Sequence, residues 1–277
     1  MTAPSTTCTA AIASTKLQLE HINARLQNFS PQEIIEWAIT TIPNLYQTTA
    51  FGLTGLATID MVSKMPSKVT LGKAHPIDLI FVDTLYHFDE TLALVDNLKA
   101  KYPPANIHIY KPDGCESRRD FEKVYGENMW ETAENLYDYL VKVEPAHRAY
   151  KELNVAAVLT GRRRSQGGAR GDLAIIEIEE ETGTIKINPL ANWSFQQVKD
   201  YVDQNDVPYN SLLDKGYRSV GDFHSTQPVK EGEDERAGRW KGKNKTECGI
   251  HASSRFAQYI AVKKMNATGT VFDKLSL

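Results

Sequence analysis

The sequence predicts an α/β protein, with a mainly parallel, Rossmann-like sheet flanked by helices and a mobile C-terminal tail. Three observations predict it. Short apolar runs at 46–51, 77–82, 106–110 and 155–159 alternate with helical segments, the pattern of βαβ units. Polar clusters follow three of those runs, at the strand ends where an open parallel sheet presents its ligand. The chain has 277 residues, 41% apolar and 24% charged, which is ordinary globular composition and enough to bury a full core.

Each element has its own signal. Residues 1–15 are Thr, Ser and Ala without periodicity and are read as disordered; a helix covers 16–27. Ser30-Pro31-Gln32-Glu33 is a capping box with proline at the first helical position, opening a helix to about Thr40. The strand at 46–51 meets a turn, Gly52-Leu53-Thr54-Gly55, and then a helix at 56–65. The run at 77–82 ends in Asp83-Thr84. The helix at 89–101 sets Leu92, Val95 and Leu98 on one stripe. After the strand at 106–110, helical segments follow at 118–125, 130–141 and 146–153, then a buried strand at 155–159. Ile176/Ile178 and Ile185/Ile187 alternate with polar residues around Glu180-Glu181-Thr182-Gly183, which predicts a hairpin. Ser194 caps a helix running to Gln204. From Lys230 glycine and charge dominate. The expected organisation is a disordered 1–15, an α/β nucleotide-binding domain over 16–230, and a mobile C-terminal segment over 231–277.

Charge and cysteine usage exclude several classes. The net charge of −3 argues against broad nucleic-acid binding, so any anion site is local. Cys8, Cys115 and Cys248 are odd in number and far apart, which is no disulfide framework and no zinc pair. A cubane iron–sulfur cluster takes four cysteines, more than this chain has. The N-terminus lacks the basic start and apolar stretch of a secretory signal, and no run approaches a membrane span. The expectation is a reduced, soluble, cytoplasmic protein that binds neither nucleic acid nor membrane.

Four clusters carry chemistry. Thr48-Thr49-Ala50-Phe51-Gly52-Leu53-Thr54-Gly55 offers hydroxyls, glycines and a helix N-terminus to an anion, although a plain strand-to-helix turn has the same composition. Asp83 in Asp83-Thr84-Leu85-Tyr86-His87-Phe88 suits a nucleotide sugar or base, or the capping of its own loop; His87 reads as a packing histidine. Gly161 to Arg170 interleaves four arginines with glycines, and arginine recognises phosphate or sulfate bidentately. Arg236 to Lys245 holds five cations and no acids just before Glu247-Cys248-Gly249-Ile250-His251. Nearby cations lower a thiol's pKa from its free value of about 8.5, and the thiolate is the nucleophile. Thiolates suit attack at sulfur, so the partner these clusters predict is an acidic nucleotide bearing a sulfuryl group.

These motifs resemble the phosphoadenylyl-sulfate (PAPS) reductase family, fungal thioredoxin-dependent type, over about residues 30–251. The match includes TTAFG at 48–52, DTLYHF at 83–88, Lys142-Val143-Glu144-Pro145, the stretches 161–170 and 232–240, and the ECGIH ending. The resemblance implies an adenine nucleotide α-hydrolase-like fold. It implies that Cys248 attacks the sulfuryl sulfur of PAPS, leaving S-sulfocysteine and adenosine 3′,5′-bisphosphate, and that thioredoxin or glutaredoxin then releases sulfite. By position, Thr48, Thr49, Phe51, Gly52 and Asp83 would line the nucleotide site. Lys142, Arg163, Arg164, Arg170, Arg236, Arg239 and His251 would neutralise phosphate and sulfate, with Gln166 and Trp240 beside them, and His251 shares the catalytic motif with Cys248.

Relatives that reduce adenylyl sulfate (APS) carry a four-iron cluster. Its cysteine positions fall here near Tyr137-Asp138 and near Asp222 and Ser225, with no cysteine at either. That favours PAPS and implies no bound cofactor. The family also implies a homodimer. The 26 residues 252–277 extend beyond the motif, and Phe256, Tyr259 and Ile260 form one apolar face to dock on the body or on a second subunit. Clustered cations are expected to keep the tail open until a polyanion arrives. Two other readings remain at this point: a related enzyme (a cluster-free APS reductase or an adenylyltransferase of the same fold) and a non-catalytic nucleotide-binding module.

Overall fold

The computed structural model describes residues 6–70, 72–73, 75–179, 182–242, 245, 247, 249–250, 256 and 259. The expectations for Cys248, His251 and Ile260 lie outside the described residues.

Helix α1 (Thr6–Leu26) starts ten residues before the expected Lys16, so residues 6–15, read as disordered, are helical. Ala10, Ala11 and Ala13 have the highest helix propensity, and local propensity suffices where periodicity is missing. α2 (Pro31–Thr41) opens on the Ser30–Glu33 capping box. β1 (Leu45–Thr48) leads into α3 (Leu53–Ser63), which begins earlier than expected. Gly55 therefore belongs to the first turn of α3, where a Cβ would stand 2.7 Å from Thr49 Oγ1. A short α4 (Ser67–Thr70) precedes β2 (Asp78–Val82), followed by α5 (Asp89–Lys101) and β3 (Ile107–Tyr110). On α5 the buried apolar residues are Leu94, Val95 and Leu98, and Leu92 is exposed. The stripe is thus set one turn-step away from Leu92.

α6 (Arg118–Tyr125), α7 (Met129–Thr132) and α8 (Glu134–Asp138) run into a π turn (Tyr139–Val143) and α9 (Glu144–Glu152). β4 (Ala157–Leu159) follows, then the hairpin of β5 (Ile176–Ile178) and β6 (Ile185–Ile187), then α10 (Phe195–Gln204) capped by Ser194. The sheet order is β3-β2-β1-β4-β6-β5. All neighbouring pairs are parallel except β5 with β6, which form the expected hairpin.

The central strands β2 and β4 bury apolar side chains on both faces, as parallel strands between helical layers must, and β1 buries Leu45, Gln47 and Thr48. One core cluster joins Ile35, Ala57, Ile59, Leu79, Phe81, Leu159, Ile187 and Val198. A second joins Tyr86, Cys115, Phe121, Met129, Tyr137 and Val141. Cys115 is buried there; burial first, then Asp120, Asp113 and Glu116, pushes its thiol pKa up, which suits a packing residue rather than a nucleophile.

Residues 231–242 are not detached at residue 231. Gln227 N–H donates to the Gly238 carbonyl, Trp240 N–H to the Ser225 carbonyl, and Thr226 pairs with Arg239 as an antiparallel bridge. Further along, Phe256 is fully buried against Tyr139, Val143 and Tyr259, its ring tilted to both tyrosines, which stack on each other. The extension thus docks on the body through Phe256 and Tyr259. Gly249, at φ 92°, passes so close to the Phe256 ring that any Cβ would overlap it, which accounts for glycine directly after Cys248.

Candidate active site

A cleft opens at the carboxyl ends of β1, β2 and β4. One lobe is lined by Thr48 to Leu56, Gly161, Arg162, Arg163, Gln166, Arg170, Asn210, Arg218 and Glu235. The adjoining lobe is lined by Val82, Thr84, His87, Lys142, Asp222, Arg239, Trp240 and Ile250. Thr48, Thr49, Ala50, Arg170, Val220 and Arg236 border both.

The β1–α3 turn supplies the floor. Thr49 Oγ1 accepts the Phe51 N–H at 2.9 Å, and Thr48 Oγ1 lies 2.9 Å from Tyr150 Oη. This local bond holds Phe51 in the left-handed region at φ 55°, its ring tilted against Phe81 with centroids 5.0 Å apart. Gly52 then becomes the N-cap of α3, whose first amide groups face the cleft. Asp83 stands apart from both lobes. Its carboxylate accepts the Leu85 N–H at 2.9 Å, so the structure gives the loop-capping alternative.

The cations are not arranged as free charges. Arg163 is 2% exposed and fully committed. Its Nη2 donates to both Glu235 oxygens at 2.8 and 2.6 Å, its Nε to Thr54 Oγ1 at 2.9 Å, and its Nη1 to Ser165 Oγ and the Trp193 carbonyl. Arg164 points away from the cleft, donating to the Leu173 carbonyl and to Asn192. Of the three consecutive arginines, Arg162 lines the cleft instead and pairs with Glu177. Arg170 grips Glu247 with Nε and Nη2 at 2.5 and 2.6 Å, and Gln166 Oε1 accepts from its Nη1. Arg236 Nη2 lies 3.6 Å from the same Glu247 carboxylate. Burial alone would raise the Glu247 pKa; the Arg170 hydrogen bonds and the charges of Arg170, Arg236 and Arg162 outweigh it and hold the carboxyl below its ordinary value.

Trp240 collects cations on its ring: Arg239 Cζ at 4.5 Å from the centroid, Lys245 Nζ at 5.3 Å and Arg236 Cζ at 5.7 Å. Arg239 also donates to the Val220 carbonyl at 3.1 Å. Lys142 sits on the π turn, buried, with Nζ 3.0 Å from Asp138 and 2.7 Å from Asp222. Lys245 Nζ lies 2.5 Å from the other Asp138 oxygen, so two lysines and two aspartates form one buried cluster. Beside it, Trp130 stacks on His224, and Tyr137 donates to Asp222 at 3.2 Å. Asp138 and Asp222 therefore serve as buried counter-ions of lysine.

The expectation of a tail held open by mutual cation repulsion is corrected. Glu235 neutralises Arg163, Glu247 neutralises Arg170 and Arg236, and Lys245 is taken by Asp138. Sequence reasoning weighed the cations of 236–245 and passed over Glu235 and Glu247. Both carboxylates were visible beside the basic stretch, but their partners are distant in sequence. Thr48, Thr49, Phe51, Gly52, Lys142, Arg163, Gln166, Arg170, Arg236, Arg239 and Trp240 all line the cleft; Asp83 and Arg164 do not.

The Asp222 carboxyl carries a pH signature. Burial alone would raise its pKa, but Lys142, His87 and His224 outweigh it and hold it far below the ordinary range. A depressed folded-state pKa contributes stability that is present above the unfolded value of about 3.9 and is lost as pH falls further. Asp222→Asn is expected to cost about 2 kcal/mol at neutral pH. Its deficit relative to the parent should shrink in denaturant titrations carried from pH 7 into the region below 4. A deficit that stayed constant across that range would refute the assignment.

Comparison with known proteins agrees with this geometry. Residues 44–228 match the family described as phosphoadenosine phosphosulfate reductase domain. The phosphoadenosine phosphosulfate reductase of Saccharomyces cerevisiae is 62% identical over 253 residues, covering 90% of this chain and 95% of that protein. That of Emericella nidulans is 60% identical, covering 90% and 80%. An adenosine 5′-phosphosulfate reductase of Halalkalibacterium halodurans is 33% identical, covering 86% and 98%. Among solved structures, the PAPS reductase of Candida auris in phosphate complex superposes with a TM-score of 0.68 at 56% identity, covering 76% of this chain and 96% of that one. The FMN adenylyltransferase of Candida glabrata, at 13% identity and TM-score 0.51 over 88% and 82%, shares the fold alone, which is the adenine nucleotide α-hydrolase-like arrangement. With two thirds of its length matched by the family and fungal relatives at 60% identity or more, the chain belongs to the phosphoadenosine phosphosulfate reductase family.

Proposed function

We propose that the protein reduces PAPS to sulfite through a covalent intermediate on Cys248. The thiolate of Cys248 attacks the sulfuryl sulfur. A cysteine S–S bond to the SO3 group forms, the bond from sulfur to the phosphate oxygen breaks, and adenosine 3′,5′-bisphosphate leaves with the electron pair. A thioredoxin thiolate then attacks the Cys248 sulfur and expels sulfite. The second thioredoxin thiol resolves the mixed disulfide, so thioredoxin supplies two electrons and ends oxidised. Glutaredoxin would serve by the same exchange.

The observation that carries this reading is the pairing of Arg170 and Arg236 with Glu247, the residue directly before Cys248 in the chain. It brings the nucleophile's neighbour to the same cations that suit a sulfate or phosphate. Without cations, thiolate and sulfuryl group would repel each other strongly in a dry cleft. The β1–α3 turn and the N-terminus of α3 suit the nucleotide phosphate. Phosphate bound by the Candida auris relative is in keeping with an anion site in this family. Identity of 62% to a PAPS reductase against 33% to an APS reductase favours PAPS.

Arg163 enters this reading as the brace of the cleft wall rather than as a ligand, and His251, three residues after Cys248 in the sequence, as a further cation. A homodimer working in the cytoplasm without an iron–sulfur cluster completes the proposal. Among the described residues no helix is long and apolar enough to cross a membrane.

Intact mass of the reduced protein mixed with PAPS, in the absence of thioredoxin, tests the chemistry. A gain of one SO3 group mapped to Cys248, and lost on adding thioredoxin, is the expected result. No adduct with PAPS or with APS would reject the covalent route.

A further inference from the structure

We infer that Glu247 is a resident counter-anion occupying the sulfate or phosphate seat of Arg170 and Arg236, which substrate must displace. The inference rests on the proposed reading of Arg170 and Arg236 as substrate ligands.

The geometry makes occupancy exclusive. Arg170 uses Nε and Nη2 on the two Glu247 oxygens and Nη1 on Gln166, so the fork that would take a tetrahedral anion is already filled. Arg236, from another part of the chain, closes on the same carboxylate. A carboxylate and a sulfate cannot both hold that fork.

Glu235 offers a contrast. Its partner Arg163 is 2% exposed in the side chain and has further bonds to Thr54, Ser165 and Trp193, which makes a permanent brace. Glu247 is 20% exposed, and its partners Arg170 and Arg236, 10% and 14% exposed, border both cleft lobes, where an incoming anion reaches them.

The segment's second anchor lies outside the cleft. Lys245 Nζ is bound by Asp138 at 2.5 Å and lies 3.4 Å from Glu134, and Lys245 lines neither lobe, so an anion seated on Arg170 and Arg236 does not meet it. Substrate thus frees Glu247 from Arg170 and Arg236 while Lys245 stays docked on Asp138. By linkage, whatever the ligand spends on expelling Glu247 is missing from its own affinity.

Calorimetric titration of the full chain with adenosine 3′,5′-bisphosphate, and separately with inorganic sulfate, tests this. Glu247→Gln should bind both about tenfold tighter than the parent, equivalent to about 1.4 kcal/mol. Glu247→Asp, which keeps the charge, should return to weak binding. Unchanged or weaker binding by the glutamine variant, with its circular dichroism intact, would overturn the inference. The reaction is read independently by the mass adduct. Tightened binding without an adduct would remove the proposed chemistry and keep the seat, and an adduct with unchanged affinity would remove the seat alone.

Discussion

Cys248→Ser is expected to release no measurable sulfite from PAPS, a loss on the order of 10⁴-fold or more, while binding adenosine 3′,5′-bisphosphate within about twofold of the parent. The asymmetry follows from the division of labour in the cleft. The groups that suit the nucleotide come from the β1–α3 turn, the loop after β4 and the 235–240 return, all folded independently of residue 248. The nucleophile follows a segment pinned at Lys245 and Glu247, both before it in the chain. A serine hydroxyl keeps the shape and loses the thiolate. Sulfite assays and titrations on the same preparation read both quantities. Full turnover by the serine variant would end the covalent proposal; loss of binding together with turnover would mean the substitution had disturbed the fold.

The largest stability effect is expected at Arg163. Arg163→Met leaves Glu235 buried with its main counter-charge gone, and removing one member of a buried pair costs about 3–5 kcal/mol. The bidentate bond also ties the 231–240 return to the start of α3 through Thr54, so the loss falls on the cleft wall itself. Replacing both partners, Arg163→Met with Glu235→Leu, should recover most of the stability, because a well-packed apolar pair is often no worse than a buried ion pair. Guanidinium denaturation of the parent, single and double variants measures this. Nucleotide affinity of the double variant separates the two roles: near-parent binding supports a brace, and a collapse in binding despite restored stability returns Arg163 to the substrate's ligands. An unshifted midpoint for the single variant would contradict the bond network.

Much of the fold was legible because its signals are local. The Ser30 and Ser194 caps, the strands at 78–82 and 107–110 and the β5–β6 hairpin each depend on a few adjacent residues. Periodicity was less faithful where a helix is short or buried on more than one side. It favoured Leu92 over Leu94 on α5, and it missed that Gly55 starts a helix turn rather than ending a loop. At the site, residue types were legible and their partners were not. Arginines at 162–164 point to an anion, but which of three consecutive side chains enters the cleft depends on the backbone after β4, and it is Arg162 and Arg163 rather than Arg164. Counting cations along the 236–245 stretch gave the opposite of the electrostatics, since Glu235 and Glu247 neutralise cations from elsewhere in the chain as well as from that stretch. Separations of 72 and 77 residues, as between Arg163 and Glu235 and between Arg170 and Glu247, are settled by topology alone.

The π turn at Tyr139–Val143 has a consequence of its own. Such a turn holds one residue more than an α-helix of the same axial length, and each residue turns the helix by about 100°. The direction in which Lys142 faces is therefore a matter of how many residues the helix contains, as well as which. Removing one residue between 139 and 143 would restore a regular helix and swing the lysine away from Asp222 without altering a single side chain in the buried cluster. In comparing homologous chains, a one-residue gap at this point is the mark to look for: it would signal a cleft with its lysine re-aimed, even where every charged residue around it is retained.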